Sequence, residues 1–195
     1  MADASAASSS AEELRLEGNA ALSRKDQKRA HLCYTRAIEL SPHDHLLFSN
    51  RAAANANMGR WQEALEDSQR CISLAPEWAK GHTRAGAAYY ALGQFTDAVG
   101  AYTKSLELVP HDSAVEHALE DARKAEAKKQ VDAELMPAVL KFAQRKQAGQ
   151  KLINERNYAA AATEYRQAIK SMSELMEKLP SSEGEPMRMK LLDLK

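Results

Sequence analysis

Two cysteines in 195 residues, Cys33 and Cys71, are too few and too far apart for a disulfide framework or a zinc site. Both stand among apolar helix neighbours, which predicts buried packing in a reducing, cytoplasmic setting. Glycine (8) and proline (6) are scarce and clustered. That is the punctuation of a helical chain with short turns, and it excludes a β-sandwich. Net charge is also missing, because 27 lysines and arginines cancel 27 aspartates and glutamates. No whole-molecule field draws the chain to nucleic acid or an anionic membrane, so any charge selectivity must be local. No segment approaches the roughly 18 apolar residues that a membrane span needs. The first ten residues, MADASAASSS, carry neither a basic start nor an apolar run, and are expected to form a flexible tail rather than a signal peptide.

The marks of an enzyme are absent as well. No nucleophile stands beside a base and no metal-ligand spacing emerges, so neither catalysis nor a cofactor is expected. His43 and His45 fall two apart in the loop SPHDH, where a turn or surface role outweighs metal binding. His82 reads as a core or groove-edge residue.

What is present is a period. Pro42, Pro76 and Pro110 recur every 34 residues, and so do Ala30, Ala64 and Ala98. With Ala11, His45 and Ala79 as first positions, Gly18, Ala52 and Gly86 fall at the eighth, where small residues let two helices approach. Apolar residues at helical spacing then run up to each proline, so every unit is expected to be a helical hairpin. The spacing predicts helices over 11–24, 27–40, 44–58, 61–74, 78–92 and 95–109. Asp44 and Asp112 are expected N-caps, and Gly59 and Gly93 left-handed C-cap residues. Residues 112–136 are expected to cover the third unit and then project as a polar, solvated helix, the whole forming a domain over 11–136. After Pro137 the pattern returns: Gly149, Ala161, Tyr165 and Ala168 hold the eighth, twentieth, twenty-fourth and twenty-seventh positions of a fourth unit starting near Phe142. Residues 137–195 are therefore expected to be a fourth hairpin, a polar SSEGEP turn and the start of a further helix, the opening of a possible second block.

This arrangement resembles the tetratricopeptide repeat, with small residues at positions eight, twenty and twenty-seven, aromatics such as Tyr34, Tyr89 and Tyr102 near eleven and twenty-four, and proline at thirty-two. The resemblance implies an all-α solenoid of stacked antiparallel hairpins. The second unit departs from it, with Asn55 and Ser68 at the aromatic positions and Cys71 at the last small one.

Positions two, five, six and nine of each first helix share one stripe. It carries Arg15 and Asn19 in the first unit, Asn50 in the second, and Lys80 and Arg84 in the third. Glu12 is its one acid, at the outer end. Three cations and two amides suit a pair of nearby carboxylates, because guanidinium and ammonium groups make charge-assisted bonds and an asparagine amide donates as well as accepts. A peptide's C-terminus supplies one such carboxylate. LRLEGNAAL, LFSNRAAA and KGHTRAGA resemble the carboxylate-clamp repeats of the Hsp-organising co-chaperones. That resemblance implies that Arg15, Asn19, Asn50, Lys80 and Arg84 grip the EEVD tails of cytosolic heat-shock chaperones of the 70 and 90 kDa classes. Arg15 stands where that family usually has lysine, which keeps the charge and changes reach and fork geometry. Lys146 and Gln150 hold the places of Arg15 and Asn19 in the fourth unit. Two other readings are an assembly scaffold that ignores chaperone tails, and a regulatory repeat domain of a larger enzyme.

Overall fold

Alanine and long unbranched side chains dominate the helices, and the breaks fall where the backbone needs a special residue. The computed structural model describes residues 2–178, and every regular element among them is an α-helix. The order is α1 (Ala2–Ser23), α2 (Gln27–Leu40), α3 (His45–Asn57), α4 (Trp61–Leu74), α5 (Ala79–Ala91), α6 (Phe95–Leu108), α7 (Ser113–Asn154) and α8 (Tyr158–Lys178). The first six match the expected spans to within about two residues at their inner boundaries. Residues 2–10 differ, since they form the start of α1 and not a tail. That stretch has no proline or glycine to stop a helix, and four of its nine residues are alanine. None of the helices among the described residues is long and apolar enough to cross a membrane. The SSEGEP turn and the helical start after it lie outside the described residues.

The same turn chemistry closes each hairpin. Gly59 and Gly93 take φ of 74° and 72°, and at the matching positions Lys25 and Arg156 take 62° and 59°. The next residue then donates its N–H five residues back: Asp26 to Ala21 (2.9 Å), Arg60 to Asn55 (2.9 Å), Gln94 to Tyr89 (2.9 Å) and Asn157 to Leu152 (2.8 Å). These bonds satisfy carbonyls that a helix end would otherwise leave open. Asp44 caps α3 by accepting from Leu46 N (2.9 Å), and Asp112 accepts from Ala114 N (3.1 Å) at the start of α7, as expected.

Two compact units divide the chain at Met1–Glu126 and Ala127–Lys195. The division falls inside α7 and not at Pro137, which α7 passes through. An internal proline removes one backbone bond, but exposed Pro137 stands between good helix formers that carry the helix on either side.

In the first unit, successive helices pack pairwise from α1 to α6. Ala21, Ala30, Tyr34 and Ala54 fill the first layer, and Ala64, Leu65, Ala85, Ala88 and Ala101 the second. Val115, Leu119 and Ala122 on the first turns of α7 cover Ala98 and Tyr102 of α6, so this segment supplies the cap expected of it. Close approach within the first and third hairpins is a glycine–tyrosine contact. A Cβ on Gly18 would stand 2.5 Å from the Tyr34 ring, and one on Gly86 2.7 Å from Tyr102. In the second hairpin Ser68 replaces the ring, and alanine is then accommodated at position 52.

That second hairpin compensates with polar bonds. Arg51 forks onto Asp67 through Nε (2.9 Å) and Nη2 (2.6 Å), and Asn55 Nδ2 donates to Asp67 at 3.0 Å. Asn55 and Asp67 are both buried. Cys33 and Cys71 are buried as expected, and burial pushes the Cys71 thiol up to about 11, so it stays protonated and inert.

In the second unit, the last part of α7 and α8 form the fourth hairpin. A Cβ on Gly149 would stand 2.8 Å from Tyr165, and Ala161 and Ala168 are buried. The contact repeats the first and third hairpins.

Candidate functional site

Helices α1, α3 and α5 are the first helices of successive hairpins, and α3 lies beside both of the others. Their shared stripe carries the five residues expected to bind a carboxylate. Asn19 Oδ1 accepts the Tyr34 hydroxyl at 2.7 Å and Asn50 Nδ2 at 3.4 Å, so a hydroxyl from α2 and an amide from α3 meet at one oxygen on α1. Burial pushes Tyr34 up to about 12, against the opposing pull of nearby Arg15, so at neutral pH it is a proton donor. With its oxygen engaged, Asn19 keeps both carboxamide N–H groups for another acceptor.

Arg15 is turned toward its own helix. Its Nε and Nη2 donate to the two carboxylate oxygens of Glu12 at 2.7 and 2.6 Å. That bond raises the Arg15 pKa and lowers that of Glu12. Lys80 and Arg84 stand one turn apart on α5, and neither has an ion pair among the described residues. Arg84 reaches solvent, yet enough protein surrounds its guanidinium that desolvation alone lowers its pKa, with no acid beside it to compensate. The structure therefore joins Asn19 and Asn50, ties Arg15 to Glu12, and leaves Lys80 and Arg84 with unused charge. Such a face can accept carboxylates and gains little from a cation.

Sequence reasoning missed the role of Tyr34 in orienting Asn19. The signal was there, because the tyrosine sits on α2 fifteen residues after the asparagine, across the turn that folds the hairpin. It also missed the Glu12–Arg15 bond, which the three-residue spacing on one helix allows. His82 Nε2 bonds the Pro76 carbonyl oxygen at 2.8 Å, and the His45 ring packs edge-on against Trp78 at 4.9 Å. Both histidines are thus engaged in local packing. In the second unit the Tyr165 hydroxyl donates to Gln150 Oε1 at 3.5 Å, a longer counterpart of the Tyr34–Asn19 bond.

Hairpins of this period, with a small residue seated under an aromatic ring and a polar stripe on their first helices, define a class of repeat protein. The family model for the tetratricopeptide repeat matches residues 79–112. The TPR2B domain of yeast Sti1, solved as a complex with pHsp70, is 30% identical, with a TM-score of 0.56 over 59% of this chain and 97% of that one. The chain belongs to the tetratricopeptide-repeat family. Within it, the chain is 42% identical over 117 residues to the Hsp70-Hsp90 organizing protein of Triticum aestivum, 60% of this chain and 20% of that protein. The first tetratricopeptide repeat domain of Spaghetti, solved with the HSP90 peptide SRMEEVD, is 28% identical with a TM-score of 0.60, over 62% of this chain and 98% of that one. The chain spans about a fifth of the length of that Triticum aestivum protein, of the STIP1 homolog of Dictyostelium discoideum and of STI1 of Saccharomyces cerevisiae.

Proposed function

We propose that this chain is a non-enzymatic co-chaperone adaptor of the cytoplasm, whose first three hairpins hold the acidic C-terminal tails of heat-shock chaperones of the 70 and 90 kDa classes. The observation that carries the reading is the combination of two unused cations on α5, Lys80 and Arg84, with an asparagine on α1 whose carboxamide N–H groups are left free, both helices lying beside α3. In this reading Asn19, Asn50 and Arg15 hold the terminal carboxylate, and Lys80 and Arg84 hold the carboxyl of the last side chain. Proteins similar to this chain carry the names Hsp70-Hsp90 organizing protein and Sti1, and the similar domains of Sti1 and Spaghetti were solved with Hsp70 and HSP90 ligands. In this reading the clamp and its cap lie within the first unit, and the fourth hairpin opens a second block.

Charge-assisted bonds are worth roughly 1.5–3 kcal/mol each when partly desolvated, and several together reach the roughly 8 kcal/mol of micromolar binding after ordering costs. The test is fluorescence anisotropy of a labelled peptide ending in MEEVD against the chain and its Lys80→Ala/Arg84→Ala variant. Loss of affinity by more than about 30-fold with helix content unchanged supports the clamp. Equal binding by both proteins, or none by either, leaves the scaffold reading instead.

A further inference from the structure

The carboxylate-binding face contains a carboxylate of its own. Position two of the first helix is Glu12, position two of the second is Leu46 and position two of the third is Lys80, so the first unit has reversed the charge that the third presents. Glu12 grips Arg15 by two bonds of 2.7 and 2.6 Å, the same planar fork that a ligand carboxylate would use. Among the groove cations Arg15 alone is so engaged. The Glu12 side chain is 53% exposed and that of Arg15 24%, so the bond faces water and can open.

We infer that Glu12 is a specificity-determining residue that acts through Arg15, an internal competitor that weakens capture of a peptide's C-terminal carboxylate. The inference rests on the clamp reading above. A guanidinium has five N–H donors in a planar fork. Glu12 covers the edge formed by Nε and Nη2, leaving the end edge of Nη1 and Nη2 to an incoming group. A ligand carboxylate must either share the guanidinium with a like charge a few ångströms away or displace it. Both routes weaken binding, and neither abolishes it, because an exposed pair shifts an equilibrium by at most about fivefold. A lysine at position 15 would have three N–H donors on one nitrogen and no planar fork, so Glu12 and a ligand carboxylate would crowd a single ammonium. The consequence is a face that releases short, weakly anchored tails and keeps those that also engage Lys80 and Arg84.

The experiment is titration of a free-acid MEEVD peptide into the whole chain and its Glu12→Gln, Arg15→Ala and Glu12→Gln/Arg15→Ala variants, at low and moderate salt. Glu12→Gln should tighten binding about three- to fivefold. The gain should shrink as salt rises and fall to below about twofold when Arg15 is already alanine. A structural role for Glu12 would change helix content and would not depend on Arg15 or on salt. If the unaltered chain binds and Glu12→Gln leaves the affinity unchanged or weaker, the internal competitor is overturned and the clamp stands. If neither binds, both fall together. Binding by Glu12→Gln alone would support the internal competitor, with a larger effect than about fivefold.

Discussion

The Tyr34 hydroxyl donates to Asn19 Oδ1 at 2.7 Å, so a buried ring from the second helix of a hairpin sets which face the amide on its first helix turns outward. The ring is fully buried, and its contact with Gly18 fixes where the hydroxyl arrives. In the proposed clamp, packing and recognition therefore share one side chain. Tyr34→Phe should keep the fold and lose the orientation. A neutral hydrogen bond contributes about 1 kcal/mol, so peptide affinity should fall roughly fivefold while the circular dichroism spectrum is unchanged. Unaltered affinity would separate Asn19 from Tyr34.

Gly18→Ala should destabilise the first hairpin by about 1–3 kcal/mol, because its Cβ would stand 2.5 Å from the Tyr34 ring in a packed layer. Adding Tyr34→Ser, which imitates the Ala52 and Ser68 pair of the second hairpin, should make the alanine tolerable. Chemical denaturation of the single and double variants measures the coupling.

The 34-residue period and the helix spans were legible because small residues, prolines and apolar positions recur where backbone approach and turns require them. The repeat positions of the five stripe residues could be assigned for the same reason, as fixed places on successive helices, while their part in binding is what the titrations test. What could not be read was pairing across helices. Asn55 and Ser68 look like losses from an aromatic pattern until Arg51, Asn55 and Asp67 are seen as one buried polar cluster, since linear spacing does not say which side chains meet. Pro137 misled for a related reason. A proline signals a boundary on average, yet a single exposed proline costs one backbone bond, and α7 continues through it.

Asp67→Ala should be among the more destabilising changes in the second hairpin, by about 3 kcal/mol, because it leaves the Arg51 guanidinium and the Asn55 amide without their acceptor in a largely buried place. Arg51→Met with Asp67→Leu should recover much of the loss, as apolar replacements of a buried pair often do. Urea denaturation of each protein gives the comparison.

Burial, with the Arg51 and Arg60 charges nearby, lowers the His31 pKa below its ordinary value. His31 Nδ1 and Asn55 Oδ1 are buried beside the same cluster, and Asn55 and the Asp67 charge oppose the downward shift without cancelling it. The folded state thus favours neutral His31, and this contribution is fully present above the unfolded value of about 6.5 and is lost as pH falls through the lower folded value. Stability should decline on acidification from pH 7, and His31→Gln should flatten that decline. An equal slope in both proteins would remove His31 from the cluster's pH response.

The measurement that bears most directly on the clamp is calorimetric titration of the chain with two peptides that differ only at their end, MEEVD as the free acid and as the C-terminal amide. A carboxylate held by Asn19, Asn50 and Arg15 predicts micromolar binding of the acid, weakening with salt, and a loss of at least about tenfold on amidation. Equal affinity for acid and amide would contradict it, and would mean that this face holds its partner without reading the chain terminus.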